Sequence, residues 1–147
     1  MDENKSVGFY MKKINDYIMM DANEHLKSQD LTYSQMHILI YIAKSPEQTV
    51  PQKEIEHFFQ LRHPTVVGLL KRMEKKGLLS VTCNPTDRRS NCISLLPKAE
   101  SILKNAQEGR QRVDWLLTKD LNDTQKTELK QLLEIIYRGM YNPESEK

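Results

Sequence analysis

The stretch that decides the fold of this chain is LRHPTVVGLLKRMEKKGLL, residues 61–79, followed by SVTCNPTDRRSNCISL, residues 80–95. His63-Pro64 predicts the start of a helix, because a residue before proline prefers an extended backbone and proline suits the first helical turn. Apolar residues then recur at helical spacing on one face: Val66, Leu69, Leu70 and Met73. Gly77 is placed to end this helix in a left-handed conformation.

The second half of the stretch predicts a β-hairpin. Two strand-like runs, residues 78–83 and 91–96, are joined by Asn84-Pro85-Thr86-Asp87-Arg88-Arg89-Ser90, a segment rich in turn-forming residues. In this turn the carboxylate of Asp87 can accept hydrogen bonds while an arginine points outward. A helix followed by such a hairpin is the outline of a winged helix-turn-helix.

Positive charge is concentrated on the helix and the turn. Residues 61–90 carry seven lysine and arginine residues against two acidic ones, whereas the net charge of the whole chain is only +2. A charged helix face is often just solvated surface, but here small side chains precede the cations, which favours close approach to double-stranded DNA. Lys75 and Lys76 are expected near phosphates. The candidate DNA contacts are Arg62, His63, Thr65, Gly68, Lys71 and Arg72 around the helix, and Asp87, Arg88 and Arg89 on the wing.

Helices are predicted on both sides of this unit. Pairs of side chains three residues apart predict helix starts, because each can bond to a free backbone amide of the other's turn: Thr32 with Gln35, Thr49 with Gln52, and Asn122 with Gln125. The predicted fold class is mainly α with a small β-hairpin wing. Long amphipathic helices at both ends suit a dimer interface, so we expect a dimerisation helix in residues 1–30, the winged domain in 31–97 and dimerisation helices in 98–147.

With these features the chain resembles the MarR family of bacterial transcription regulators. The resemblance covers nearly the whole chain and is densest at Leu31-Thr32, in PTVVGLLKRMEKKGLL (residues 64–79) and in PTDRRSNCISL (residues 85–95). The family pattern there is a recognition helix ending in Leu/Met-x-x-x-Gly-Leu, followed by an Asp-x-Arg wing tip. The resemblance implies that Arg89 is a minor-groove arginine and Asp87 the wing-tip aspartate. It also implies an obligate homodimer that represses transcription from a pseudo-palindromic operator.

A small aromatic effector is a further expectation. The first two predicted helices are rich in soft and aromatic side chains, and the candidate ligand-binding residues are Met11, Met36, His37 and Tyr41. Core packing or a dimer interface is the other interpretation of such a cluster. The resemblance implies that phenolic ligands bind between the dimer helices and the winged domain and release the DNA.

Cys83 and Cys92 are the two cysteines of the chain. If the hairpin is centred on Asp87-Arg88, they face each other across the strands, and their oxidation would alter the wing. This is the basis for an alternative function as a thiol-responsive regulator. The other interpretation is two small, partly buried thiols without a redox role.

The sequence argues against several classes of protein. No apolar run approaches the roughly 18 residues of a membrane span, and MDENKSVGF lacks the layout of a signal peptide, so we expect a cytoplasmic location. The four histidines, His25, His37, His57 and His63, lack the spacing of metal ligands, and no metal or cofactor is expected. The sequence contains neither a phosphate-binding loop nor a catalytic pair of residues, so nothing in it indicates an enzyme. The remaining alternative is a winged-helix protein-interaction module without specific DNA binding, which would have no reason to retain Arg88 and Arg89.

Overall fold

The structure, a computed structural model, describes residues 5–140. Helices alternate with short strands in these residues: α1 (Val7–Leu26), α2 (Tyr33–Lys44), β1 (Thr49–Pro51), α3 (Gln52–Phe59), α4 (His63–Lys75), β2 (Leu79–Cys83), β3 (Asn91–Leu95), α5 (Lys98–Thr118) and α6 (Asp123–Met140). Short 3-10 turns lie at Lys27–Gln29 and Pro46–Gln48. The strands form one antiparallel sheet in the order β1-β3-β2. The predicted fold class, mainly α with a small wing, is confirmed.

Two of the three predicted helix starts are confirmed by their hydrogen bonds. At α2 the amide of Thr32 donates to Oε1 of Gln35 at 3.2 Å, and the amide of Gln35 donates to Oγ1 of Thr32 at 3.3 Å. At α6 the same reciprocal pair joins Asn122 and Gln125 at 3.0 and 2.9 Å. Each pair satisfies two backbone donors that a helix end leaves free.

The third predicted start, Thr49 with Gln52, is wrong. Thr49 begins β1, its Oγ1 lies 2.8 Å from Oγ of Ser94, and the residue that caps α3 is Pro51. The pairing of β1 with β3 buries Val50 almost completely. Burial in the sheet therefore decides the conformation of Thr49, over its local preference for a helix cap.

The chain divides into two compact units, residues 1–109 and 110–147, with the boundary inside α5. The first unit contains the apolar core, which draws on α2, α3, α4 and the sheet: Ile38, Leu39, Ile42, Val50, Ile55, Val66, Leu70, Met73, Leu79 and Ile93. The second unit contains the end of α5 and α6. Of the segments in which we expect dimerisation helices, residues 1–4 and 141–147 lie outside the described part of the chain.

Apolar side chains remain exposed on the first and last helices. On α1 they are Val7, Phe9, Tyr10, Met11, Ile14, Tyr17 and Met20, and on α6 they are Leu132, Leu133, Ile135, Ile136, Tyr137 and Met140. No helix within residues 5–140 has both the length and the apolar character that crossing a membrane requires. Within the described residues, α1 and α6 are therefore amphipathic helices whose apolar faces are largely exposed.

The hairpin register corrects the expectation for the cysteines. Cys92 pairs with Thr82, and Cys83 pairs with Asn91, so the turn is centred on Asp87 itself and not between Asp87 and Arg88. Because neighbouring residues of a strand point to opposite faces, a shift of one residue places the two thiols on opposite sides of the hairpin. The prediction that Cys83 and Cys92 face each other is therefore wrong.

Candidate nucleic-acid interface

A three-residue turn joins α3 to α4. Gln60 has a φ of 50°, and its amide donates to the carbonyl of His57 at 3.2 Å, which closes the end of α3. Arg62 is extended, and its carbonyl accepts the amide of Val66 at 3.1 Å to begin α4. The tight turn fixes α4 across α3, which is the geometry of a helix-turn-helix.

The two faces of α4 differ in burial. Its apolar face is buried in the core, as the spacing predicted: Val66, Leu69, Leu70 and Met73. Thr65, Lys71 and Arg72 are exposed on the opposite face, where Gly68 is half-buried, and Arg62 and His63 are exposed at the helix start. The structure therefore brings the predicted candidates on and before α4 to one side of the helix.

The cations on this side of α4 are unpaired within the described part of the chain. Arg62, Lys71, Arg72 and Lys75 form no ion pair with any residue between 5 and 140. Unpaired cations on a helix surface suit contacts to phosphates, which fix the position and orientation of a protein on a duplex.

Lys76 has a different role from its neighbour Lys75. Its Nζ donates to the backbone carbonyl of Asp30 and lies 3.4 Å from the carboxylate of the same residue. The carbonyl of Lys76 in turn accepts from Nζ of Lys98 at 2.7 Å. Lys76 therefore ties the end of α4 to the segment before α2, a structural role that its charge alone did not indicate.

Hydrogen bonds within the wing tip hold its shape. The amide of Asn84 donates to the carbonyl of Ser90 at 2.9 Å, and the amide of Ser90 donates to the carbonyl of Asp87 at 3.0 Å. Oδ1 of Asp87 accepts the amide of Arg89 at 3.0 Å, so Asp87 orders the turn as its position suggested. Arg88 and Arg89 are exposed at this tip and form no ion pair within residues 5–140.

A chain of polar contacts connects the wing to the start of α4. Nδ2 of Asn91, at the start of β3, donates to Oε1 of Gln52 at 3.3 Å. Nε2 of Gln52 donates to Oε1 of Glu56 at 3.0 Å, and the same oxygen lies 2.6 Å from Nδ1 of His63. Gln52 is only 4% exposed, so its amide is a buried junction between the sheet, α3 and α4.

The sequence pattern did not predict this junction. Gln52 was expected only as part of a helix cap, and no role was expected for Glu56 or Asn91. The spacing of Gln52 and Glu56, four residues apart on a helix, was the available signal, because such side chains are neighbours on a helix surface.

The junction also sets the charge of Glu56. The hydrogen bond from Gln52 is the largest effect and lowers the pKa of Glu56 below its ordinary value of 4.5; burial opposes this effect. The hydrogen bond and charge of His63 and the charge of Lys53 lower the pKa further. Glu56 is therefore a carboxylate at neutral pH and acts only as a hydrogen-bond acceptor.

The four candidate ligand-binding residues lie in different environments. Met36 is 7% exposed and belongs to the core, whereas Met11 is 38% exposed on α1. His37 is exposed and Tyr41 half-buried on the side of α2 that also carries Tyr33, one helical turn before His37. The structure therefore places His37 and Tyr41 on one face of α2 and Met36 on another.

Aromatic rings cluster around His37 and Tyr41. The rings of Tyr33 and His37 are 4.2 Å apart, as are those of Tyr41 and Phe58. The hydroxyl of Tyr41 donates to Glu54 at 2.6 Å. Burial, followed by the hydrogen bond and charge of Glu54, raises the pKa of Tyr41 to about 12. No group of three or more potential metal-ligand side chains occurs in the part of the chain that the structure describes.

Comparison with known proteins gives one consistent result. Residues 29–90 match the model of the MarR family. A curated protein of Thauera aromatica, named for transcriptional regulation of the hcr operon, is 30% identical over 101 residues. That alignment covers 69% of this chain and 60% of the relative, so the match spans less than two thirds of the relative's length.

Solved structures show that the fold extends beyond the matched residues. A crystal structure of MarR has a TM-score of 0.89 at 20% identity and covers 100% of this chain and 99% of its own. A complex of MepR from S. aureus with DNA has a TM-score of 0.81 at 20% identity and covers 92% of this chain and 99% of its own. At these identities the structures establish the shared fold. Residues 29–90 are therefore similar to the MarR family, and the whole chain shares the fold of solved MarR structures.

Proposed function

We propose that this chain is a transcriptional regulator that binds double-stranded DNA sequence-specifically as a homodimer and represses the promoter it occupies. The observation that carries the proposal is the exposed surface of α4 and the wing tip, where Arg62, Lys71, Arg72, Arg88 and Arg89 are unpaired within residues 5–140. The S. aureus relative of the same fold, solved as a DNA complex, supports the proposal.

Each part of this surface has a proposed task on the duplex. Thr65 and Gly68 let α4 approach base edges in the major groove, with Arg62 and His63 at its start. Lys71 and Arg72 neutralise phosphates, which supplies most of the salt-dependent affinity. Arg89 enters the minor groove, whose negative potential is highest where it is narrow, while Asp87 keeps the turn in shape and Arg88 contacts the backbone.

The homodimer is proposed from the uncovered apolar faces of α1 and α6. A second copy of the chain would remove these side chains from water, which is the main favourable term in protein association. A two-fold dimer would present two α4 helices to half-sites about 34 Å apart, so the operator would be a pseudo-palindrome.

We also propose a small aromatic effector. The tilted ring pairs around His37 and Tyr41 suit an aromatic ligand, with Met11 on α1 as a softer side chain of the proposed site. Met36, predicted for the same site, is buried in the core and is not part of it. A ligand that binds more tightly to a dimer with a different spacing of its α4 helices would shift the population and release the DNA.

The test begins with DNA selected by the protein from a random-sequence duplex pool. We expect tight binding to the selected duplex and weak binding to a shuffled duplex of the same composition at near-physiological salt. Arg89→Ala should weaken binding to the selected duplex by about tenfold or more, the loss of one good charged contact. Arg110→Ala removes an exposed arginine of α5 as a control and should leave the affinity unchanged.

Two further results decide between the alternatives. Equal, weak, salt-sensitive binding to both duplexes would contradict sequence-specific recognition and favour the protein-interaction module. Repression is tested by in vitro transcription from a promoter that contains the selected site, where transcript should fall as wild-type protein, but not Arg89→Ala, is added.

A further inference from the structure

The imidazole of His63 is held on one side and exposed on the other. His63 is the first residue of α4, its side chain is 69% exposed, and its Nδ1 lies 2.6 Å from Oε1 of Glu56. Nε2 of Gln52 is 3.3 Å from the same Nδ1, but this amide nitrogen is a donor that also serves Glu56. A contact of 2.6 Å between a carboxylate oxygen and a ring nitrogen requires a hydrogen on that nitrogen.

This contact fixes the tautomer of the neutral ring. The Glu56 carboxylate only accepts hydrogen bonds, so Nδ1 of His63 is the donor. A neutral imidazole has one hydrogen, and with that hydrogen on Nδ1 the exposed Nε2 is an acceptor. Phosphate oxygens, as well as O6 and N7 of guanine, are acceptors too. The neutral ring therefore cannot bond to these DNA atoms through Nε2.

We propose that Glu56 is a positioning residue that makes the DNA contact of His63 depend on a proton. The inference rests on the proposed function, since it concerns the same DNA surface. When His63 takes up a proton from solvent, Nε2 becomes a charged donor that can bond to a phosphate or a guanine. Where the ring is neutral in the free protein, formation of the complex therefore takes up a proton at this ring.

The charged groups around His63 set the sign of the effect. On α3, Glu56 contacts the ring of His63, and the charge of Lys53 acts on Glu56. Arg62 is the residue before His63 in the chain. From β3, the uncharged Asn91 is connected to the ring through Gln52. Bound DNA adds negative charge to this set and favours the charged ring. Affinity is therefore highest at the acidic end of the histidine range and falls as pH rises through it.

The test measures the dissociation constant of the full chain for the selected duplex at constant ionic strength. Between about pH 6 and pH 8, wild-type binding should weaken by about tenfold or more, whereas His63→Gln, whose amide is a donor at every pH, should change by less than about twofold. His25→Gln is the matched control on α1, where the ring bonds to the backbone of Asp21, and should keep the wild-type pH dependence.

Glu56→Gln separates positioning from simple loss of structure. Glutamine is not obliged to accept, so the neutral ring can place its hydrogen on Nε2, and the pH dependence should be smaller than in the wild type. Thermal unfolding checks that this variant is folded. A pH dependence of wild-type size in either variant would overturn the inference.

The tautomer is tested without DNA by the ¹⁵N spectrum of the His63 ring in the free protein. The Nδ1-protonated form is expected in the wild type and a mixture with the Nε2-protonated form in Glu56→Gln. Predominance of the Nε2-protonated form in the wild type would overturn the inference even if DNA binding is found. Absence of a preference for the selected duplex at every pH would overturn the proposed function and this inference together.

Discussion

At the scale of single residues, Gly68 is the least explained by the packing of the chain. It lies half-buried on α4, and a Cβ added there would meet Nη1 of Arg72 at 3.6 Å, an ordinary contact with a flexible side chain. A glycine inside a helix costs about 1 kcal/mol relative to alanine. The free protein gains nothing from this glycine, so close approach of DNA to the α4 backbone is its expected role.

Gly68→Ala should therefore have opposite effects on stability and on binding. We expect the free energy of unfolding in urea to rise by about 0.5–1 kcal/mol, and binding to the selected duplex to weaken by about tenfold because the methyl group occupies space at the groove. Gly109→Ala in α5, whose added Cβ meets nothing within 4 Å, is the control and should raise stability without changing affinity. Wild-type affinity in Gly68→Ala would mean that the backbone does not approach the bases closely.

At the scale of elements, the end of α4 contains two adjacent lysines with separate tasks. Lys75 is exposed and unpaired within residues 5–140, whereas Lys76 bonds to the carbonyl of Asp30 and its own carbonyl accepts from Lys98. Lys75→Met should weaken DNA binding and reduce its salt dependence, with little effect on thermal unfolding. Lys76→Met should lower the free energy of unfolding by about 1–2 kcal/mol, the loss of a partly buried charged hydrogen bond, and bind DNA like the wild type. The reverse pattern would place Lys76 at the DNA.

The elements that the sequence predicted well are those with local signals. The reciprocal bonds of Thr32 and Gln35, the helix start at His63 and the left-handed Gly77, with a φ of 73°, all depend on neighbours within a few residues. Thr49 was mispredicted because its partner, Ser94, is 45 residues away. The hairpin register was wrong by one residue, since the same turn sequence allows two centres and only the paired sheet selects one.

The candidate DNA surface was also predictable from the sequence only where its signals are local. The apolar spacing of α4 determines which cations face outward, so Lys71 and Arg72 could be placed from the sequence alone. The junction around Gln52 could not, because it needs Asn91, which is 39 residues away and joins α3 only through the sheet. The sequence indicated which residue types form the surface, but it did not indicate which residues distant in the chain the sheet brings together.

At the scale of the whole molecule, the positive charge is concentrated in one part of the chain. Outside residues 61–90 acidic residues outnumber basic ones, so the field of the protein favours approach to DNA with the winged side first. Most of the exposed large apolar side chains lie instead on α1 and α6, and the others are Phe58 on α3 and Trp115 and Leu117 on α5. This division of surfaces is the one that a DNA-binding dimer requires.

Ile135→Glu tests the dimer. Ile135 is 67% exposed on α6, and a charge in a buried interface would be costly. Wild-type protein should sediment at twice the 17.2 kDa of one chain, whereas the variant should sediment as a single chain and bind the selected duplex more weakly. Lys130→Glu introduces the same charge at an exposed polar position of α6 and should remain a dimer. A dimeric Ile135→Glu would exclude this side chain from the interface.

The closed wing tip has a consequence for how such a protein can be diversified. Its hydrogen bonds begin at Asn84 and end at Ser90, and the amide of Thr86 donates to Oδ1 of Asn84 within the same segment. The turn is thus stabilised mainly by hydrogen bonds within itself. We expect that another turn of seven residues can replace it without disturbing β2 and β3. On the proposed function, an exchange of this turn would alter the segment proposed to enter the minor groove and leave α4, proposed to enter the major groove, unchanged.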